Sequence, residues 1–466
     1  MRVVIIMLLA TGACVSIARP WIGIVIAYLF AVLTPQTIWW WSFTDLRPVY
    51  WILLPTLIGF VVLMVKGKID FSIVRNRRCL FLLVLWICFT LSFYFGPYVS
   101  TGGPYRFTDA GWAMETIHKM FLLSFVGTLC IDDKKKLLPL AGVVVVAGIY
   151  LIYWANLQYL TGQAYGRLAG PVDQYQIGIY ADENNFSMVF VVAQPFIWYA
   201  GFLLKNKFLR WGVWLIIPFG WHAVFLTASR GGLIGLAVVT LLVAIRARSK
   251  MLGLLFIPAL LAAYMWQAGD LMKSRAGTIE TYKTEASANQ RLEAWSAARA
   301  MIADNPLTGV GLTSFGPAFS SYSEFHPREA HNTFLQISAE SGLIAGFSYL
   351  IVVLSSLWAL WRNGTRYRKR GELITENRLY LLNEAILVAF AGLAVCSVFL
   401  SHQIFEMFYF LCLLVNSVLY LSAKEDAERE ATAGASDGKL TPPKRRAGSL
   451  AGNTPSRGPT GRPALK

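Results

Sequence analysis

The feature that most constrains the fold of this chain is a series of long apolar runs that contain few charged residues. A helix of about 20 apolar residues crosses a hydrocarbon core of about 30 Å. Because lipid offers no hydrogen-bond partners, such runs must be helical unless they close into a barrel. The predicted spans are 3–18, 21–34, 50–66, 79–95, 116–131, 137–159, 185–204, 210–227, 231–247, 251–267, 333–361, 384–400 and 403–422. The first two are separated only by Arg19-Pro20, so the sequence predicts an all-α, polytopic transmembrane helical bundle of about 12 or 13 spans.

The composition supports a membrane protein and argues against nucleic acid as a partner. Hydrophobic residues make up 56% of the chain and charged residues only 15%, whereas soluble domains contain about 25% charged residues. The net charge of +16 would suggest nucleic acid if it lay on a soluble domain. Here the Lys and Arg residues lie mostly in short loops and in the tail, which favours anionic membrane lipids as their partner.

The basic loops also predict the orientation of the chain. Five loops rich in Lys and Arg alternate with five that are poorer in them, and the rich set is expected on the cytoplasmic side. The basic loops are 66–78, 134–136, 205–210, 246–250 and 366–370. The other loops are 35–49, 96–115, 161–184, 228–230 and 268–332. We therefore predict a multi-pass protein of the bacterial inner membrane, with the second set of loops in the periplasm.

Four regions follow from this layout. Residues 1–267 form the N-terminal spans, 268–332 a large periplasmic loop, 333–422 the C-terminal spans, and 423–466 a basic cytoplasmic tail predicted to be disordered. Within the large loop, 289–303 has the pattern of an amphipathic helix, with Leu292, Trp295, Ala298 and Ile302 on one face. The six cysteines show no CxxC pair and no metal-ligand spacing, which argues against a disulfide framework or a zinc site.

Three polar positions in the periplasmic set of loops could carry chemistry. Arg230 lies at the mouth of a span, where an arginine either snorkels to the interface or faces an anion or a wet cavity. Arg291 lies on the predicted loop helix, where a solvated surface role is the simpler interpretation. His331 directly precedes a long apolar segment; it is either structural or a proton-transfer group, since histidine titrates near neutral pH.

Taken together, these positions resemble a known family. SRGG at the start of a span, NQRLEAWSAARAMIADNPLTGVGLTSF in a long loop and HNTFLQISAESGLIAG opening the next span are similar to the signature of O-antigen ligases and related polymerases. The resemblance covers about residues 160 to 360. GRLAG followed by DENN resembles a further family element, in which Arg167 corresponds to a functional arginine. The N-terminal stretch ARPWIGIVIAYLFAVLTPQTIWWW resembles the O-glycosylation ligase branch found with exosortase systems.

The resemblance implies an enzyme of lipopolysaccharide biosynthesis that moves a polysaccharide from undecaprenyl diphosphate to an acceptor hydroxyl, with lipid A–core as the expected acceptor. By this resemblance Arg230, Arg291 and Arg167 would bind the diphosphate and His331 would be the catalytic base. Asn332, His326 and Glu183 are expected in supporting roles.

Metal and cofactor requirements also follow from this picture. The periplasmic loops contain no DxD motif. The adjacent pair Asp132-Asp133 lies on the predicted cytoplasmic side instead. We therefore expect no cofactor, no metal and, by single displacement, inversion of the anomeric centre.

Three alternatives remain open. A Wzy-type O-antigen polymerase would share the motifs but use a growing glycan as its acceptor. A protein O-oligosaccharyltransferase would instead use Ser or Thr. A transporter of lipid-linked sugar belongs to a different class and is typically built from inverted repeats with broken helices. The sequence shows a large asymmetric loop instead.

Overall fold

The structure, a computed structural model, describes residues 2–437 except 44–45, 102–108, 165, 175–177, 248–249, 278–285, 372–376 and 402. These described residues form α-helices joined by loops, one 3₁₀ turn at Phe71–Val74 and no strand, which confirms the all-α prediction. The helices are α1 Arg2–Ala18, α2 Pro20–Leu33, α3 Pro35–Ile38, α4 Trp40–Phe43, α5 Pro48–Val65, α6 Arg77–Phe95, α7 Ala110–Cys130, α8 Lys134–Leu160, α9 Glu183–Leu203, α10 Lys207–Leu226, α11 Arg230–Arg246, α12 Lys250–Gln267, α13 Asp270–Gly277, α14 Ala286–Asp304, α15 Phe315–Phe319, α16 Thr333–Ser341, α17 Leu343–Lys369, α18 Arg378–Ser397 and α19 Glu406–Asp437.

Each predicted span coincides with a helix, but fewer of them are long and apolar enough to cross a membrane unaided. Among the described residues nine stretches meet both conditions, or ten if Leu254–Gln267 and Asp270–Gly277, bent by 117°, form one span. Helices α1 and α11 are only 17 residues long. Helix α7 is longer but carries Glu115 and Lys119. The chain is thus a multi-pass membrane protein, and the predicted count of 12 or 13 spans includes three helices, α1, α7 and α11, that do not meet both conditions.

The predicted span 333–361 is two helices rather than one. Helix α16 ends at Ser341 and α17 begins at Leu343, with Gly342 between them at φ 86°. A side chain at Gly342 would clash with the carbonyl of Leu307, so only glycine allows the 306–312 loop to lie against this break. The break separates α16 from the span that follows, and α16 becomes part of the polar site described below.

The large loop has a hydrophobic core of its own, separate from the core of the bundle. Helix α14 forms where the sequence predicts it, and of its predicted face Ala298 is buried and Ile302 packs against the loop core, whereas Leu292 does not. Leu292 is 54% exposed, whereas alanines and Met301 of α14 are buried. The buried members of this core are Ala294, Ala297, Ala298, Met301, Val310, Phe315, Ala318, Phe319, Ala330 and Ala339. This core joins α14 and α15 to α16 and so carries the loop helix to the start of the next helix.

The predicted tail is partly helical. Helix α19 extends to Asp437, so the described residues 423–437 are helical. Residues 438–466 lie outside the described residues, and disorder of the tail stays a prediction.

Candidate active site

A cavity of about 1170 Å³ collects the polar groups of the site. Its walls come from α3–α5, α7, the start of α9 and the segments 313–340 and 400–406. Two groups of charged or polar side chains line it. The His331 group contains Asp182, Glu183, Arg328, Glu329 and His331, and the Lys119 group contains Arg47, Tyr50, Glu115, Lys119 and Glu406. Loops far apart in the sequence therefore meet at one end of the bundle.

His331 is held by its neighbours in an unusual backbone conformation. Its φ is 46°, in the left-handed region that non-glycine residues seldom adopt. Trp295 Nε1 donates to the carbonyl of Ala330 at 2.9 Å, and the Ala330 amide donates to Gln336 Oε1 at 2.9 Å. Asn332 caps α16 by accepting from the Leu335 amide at 3.1 Å. Asn332 thus has a clear structural task, and the strain at His331 marks the position as one to test for function.

The surroundings of His331 favour its neutral form. Burial lowers the pKa of His331 most, and the positive charges of Arg291, Arg167 and Arg328 lower it further, while Asp182 opposes them. An imidazole with a depressed pKa stays unprotonated at neutral pH and can accept a proton. The same electrostatic contacts show that Arg291 and Arg167, predicted from separate motifs, lie near the histidine.

Arg167 is held in a polar cluster at the start of α9. Its Nη1 lies 3.2 Å from Glu183 Oε2, its Nη2 donates to Asn184 Oδ1 at 3.0 Å, and its Nε donates to the Thr227 carbonyl at 3.3 Å. Glu183, predicted as a supporting residue, is therefore the ionic partner of Arg167. This cluster joins the 166–170 segment to the turn that precedes α11.

Arg230 is the first residue of α11, and the SRGG motif explains how it is placed. Ser229 Oγ accepts from the Gly232 amide at 3.1 Å and donates to Asn184 Oδ1 at 2.8 Å. A side chain at Gly232 would clash with Ser187 Oγ, so the glycine allows α11 to pack closely on α9. Ser229, the residue before Arg230, and Arg167 therefore both donate to Asn184 Oδ1.

Two further contacts dock the loop helix α14 against the histidine loop. Arg291 lies one turn before Trp295, whose indole bonds to Ala330. Arg328 Nη1 lies 4.0 Å from Glu293 Oε2 on the same helix. His326, by contrast, is exposed and does not line the cavity. The structure thus brings Arg291 and Arg167 close enough to His331 for their charges to act on it, and it leaves His326 outside the cavity.

Glu340 is a residue of the site that motif reading missed. It accepts four hydrogen bonds, from the amides of Thr313 at 2.9 Å and Phe315 at 3.1 Å and from Gln336 Nε2 at 2.7 Å and Gln403 Nε2 at 2.5 Å. Burial raises the pKa of Glu340 to about 7, although these donors favour the carboxylate. The only sequence signal was its place in HNTFLQISAESG, which cannot show that a buried carboxylate ties three segments together.

Other missed residues have stronger sequence signals. Asp182 begins the DENN element and caps α9, accepting from the Asn184 amide at 2.9 Å. Lys119 lies inside a predicted span, where a charge is costly enough to suggest function by itself. Within the described residues, no group of three or more His, Cys, Asp or Glu side chains is arranged to hold a metal ion.

A bundle of membrane-length helices defines a multi-pass membrane protein, and its cavity is lined by His331 and by several charged side chains. Residues 211–350 match the O-Antigen ligase family. The match covers less than a third of the chain and supports a similarity to enzymes of the O-antigen ligase or polymerase type. The match includes Arg230, Arg291 and His331 but not Arg167 or the Lys119 group. The chain matches no curated protein.

Proposed function

We propose that this protein is an O-antigen ligase-type glycosyltransferase of the bacterial inner membrane. It would move a glycan from undecaprenyl diphosphate to a hydroxyl group of lipid A–core at the periplasmic face. The observation that carries the proposal is the setting of His331, whose pKa is lowered by burial and by Arg291 and Arg167, on the wall of the cavity.

The arginines suit the leaving group. As the glycosidic bond to the carrier breaks, negative charge concentrates on the diphosphate. Arginine remains charged at all relevant pH values and can hold two phosphate oxygens at once. Arg230 is also the first residue of α11, where the helix dipole favours an anion. Arg291 and Arg230 are therefore proposed as the main diphosphate ligands, and Arg167 as the residue that joins the Thr227–Ser229 turn to α9.

His331 would act as the general base. It takes the proton from the acceptor hydroxyl while the acceptor oxygen bonds to the anomeric carbon and undecaprenyl diphosphate leaves. Attack opposite the leaving group inverts the anomeric centre. Asp182, whose negative charge acts on His331, would stabilise the imidazolium that forms. General-base assistance of this kind contributes roughly 10²- to 10⁴-fold in rate.

Metal independence is part of the proposal. The arginine side chains would stabilise the negative charge of the diphosphate leaving group, a task that a bound metal ion performs in other enzymes. Transfer should persist in excess EDTA. A loss of activity that added Mg²⁺ or Mn²⁺ restores would contradict this part of the proposal.

The decisive experiment uses purified full-length protein, lipid-linked donor and three acceptors offered separately: lipid A–core, a free glycan and a peptide. We expect transfer to lipid A–core that His331→Ala abolishes. His326→Ala is the matched control, because this exposed histidine should leave the rate nearly unchanged. Transfer to the glycan would instead identify a polymerase, and transfer to the peptide a protein O-oligosaccharyltransferase.

A further inference from the structure

The Lys119 group lines the same cavity as His331 but takes no part in the proposed chemistry. Lys119 Nζ lies 2.8 Å from Glu406 Oε1, and their side chains are only 16% and 7% exposed. Arg47 and Glu115 form a second, more exposed pair at 3.2 Å. Taking charged groups out of water is costly even when they are paired. A buried ion pair on a cavity wall therefore suggests that the pair contacts a ligand.

Buried acceptor atoms of two glutamines lie in the same cavity wall. Gln403 is 8% exposed, and its Nε2 donates to Glu340 Oε2, which fixes the orientation of the amide. Its Oε1 is buried and has no hydrogen-bond partner among the described residues, and the same holds for Gln36 Oε1. A buried acceptor without a donor costs about 1–3 kcal/mol. Because these oxygens are buried, a ligand rich in hydroxyl donors would remove that cost only by drawing them toward the cavity surface.

Aromatic rings complete this wall. Trp112 lies seven residues before Lys119 on α7 and therefore on the same helix face. Trp112 and Trp40 both line the cavity. Their rings present flat apolar surface beside the charged pairs and the glutamine oxygens.

The paired charges, the glutamine oxygens and the aromatic rings together favour one of three ligand classes: a diphosphate, a lipid chain or a sugar. A diphosphate needs an excess of positive charge, whereas Lys119 and Arg47 are each matched by a carboxylate. A lipid chain would not use buried acceptors. A sugar ring has C–H faces that pack on aromatic rings and hydroxyl groups that donate to carboxylate and amide oxygens.

We infer that the Lys119 group, with Trp40, Trp112, Gln36 and Gln403, is a saccharide-binding subsite. This inference rests on the proposed function, which supplies two candidate saccharides. They are the first sugars of the donor glycan and the sugar of the acceptor. A chain of hydrogen bonds connects the subsite to the His331 group. Gln403 and Gln336 both donate to Glu340, and Gln336 accepts from Ala330 next to His331. The cavity, at about 1170 Å³, exceeds the usual range of about 300–1,000 Å³ for one small ligand.

The test compares variants of full-length protein in the transfer assay and in equilibrium binding. Trp112→Leu removes the aromatic surface, and Trp112→Phe keeps most of it. The double variant Lys119→Met with Glu406→Gln removes both charges together, so that no unpaired charge is left buried. Trp211→Leu is the matched control, since Trp211 is 67% exposed and does not line the cavity.

We expect the double variant to raise the KM for one sugar-bearing substrate by about 10- to 100-fold, the range for losing hydrogen bonds to charged groups. Trp112→Leu should raise the same KM by about 2- to 10-fold, the range for losing an aromatic contact. Trp112→Phe and Trp211→Leu should stay close to the unmodified protein. Binding of sugar-free undecaprenyl diphosphate, the probe for the carrier alone, should not change. A rise in donor KM would assign the subsite to the donor glycan, and a rise in acceptor KM would assign it to the acceptor.

Two results would overturn the inference. One is unchanged KM values for both substrates in folded variants, and the other is an equal loss of undecaprenyl diphosphate binding. Equilibrium binding of the glycan-bearing donor and of lipid A–core, each compared with the sugar-free carrier, needs no turnover. A failure of the His331 assignment would therefore leave this test intact, and the two failures can be told apart.

Discussion

The two ends of helix α11 place arginines in opposite situations. The helix has 17 residues and is about 25 Å long. At its last residue, Arg246 Nε and Nη2 lie 2.6 and 2.5 Å from the two oxygens of Glu384, with the side chains 3% and 0% exposed. The guanidinium lies 4.5 Å over the ring of Trp361. Arg368 also approaches Glu384, at 3.6 Å.

At the other end, Arg230 follows a strained turn whose Ser229 donates to Asn184, the same side chain that Arg167 contacts. Ala228 has a φ of 47° and His331 one of 46°. The contrast shows what distinguishes a structural arginine from one proposed to bind substrate. Arg246 is almost fully buried against a dedicated carboxylate, whereas the charges of Arg291 and Arg167 act on His331 and lower its pKa.

The largest effect expected from this contrast is on turnover. His331→Ala should reduce the transfer rate by roughly 10²- to 10⁴-fold, because a general base acts in the transition state. Donor binding and thermal stability in detergent should remain close to those of the unmodified protein. If donor binding falls as far as it does in Arg230→Ala, His331 would be a substrate ligand rather than the base.

The next effect is on stability, at the opposite end of α11. Glu384→Ala should destabilise the fold by about 3–5 kcal/mol, because it leaves Arg246 buried without its carboxylate. The rate per folded molecule should not change. Thermal unfolding combined with the transfer assay measures both quantities. The double variant Arg246→Met with Glu384→Leu, which removes both charges, should recover much of the stability, and a failure to recover would point to a role beyond pairing.

A smaller effect is expected from exchanging arginine for lysine. Arg291→Lys keeps the charge but loses the two-pronged grip on phosphate. We expect kcat/KM to fall by about 10- to 100-fold, the equivalent of one or two charged hydrogen bonds. Binding of undecaprenyl diphosphate should weaken as well, because the diphosphate is charged before reaction. Arg299→Lys on the exposed side of α14 is the matched control.

The smallest effect is a shift in pH dependence. Because its surroundings lower the pKa of His331, activity should fall on acidification only below the usual histidine value of about 6.5. Arg291→Gln removes a positive charge that lowers this pKa, so the acid limb of kcat/KM should move to higher pH. A shift in the opposite direction would show that Arg291 does not act on the base.

The helices and the motifs could be predicted from the sequence because both depend on neighbouring residues. The sequence predicts the position of helix α14 and part of its buried face, Ala298 and Ile302, but it wrongly includes Leu292, because alanines and Met301 pack against the loop core instead. Arg246 was assigned to a basic loop. Its partner Glu384 lies 138 residues further on, and loop charge says nothing about such distant contacts. Glu340 and the Lys119 group were missed for the same reason, since their meaning depends on segments brought together only by folding.

The left-handed backbone at His331 means that the residue best for stability and the residue needed for activity differ at this position. Glycine adopts that conformation without strain, whereas histidine does so at a cost. In a library that contains every residue at position 331, selection for folded abundance alone should enrich glycine. Selection for glycan transfer should retain histidine. Position 331 is therefore one where engineering for a more robust membrane protein and natural selection for its activity would choose different residues.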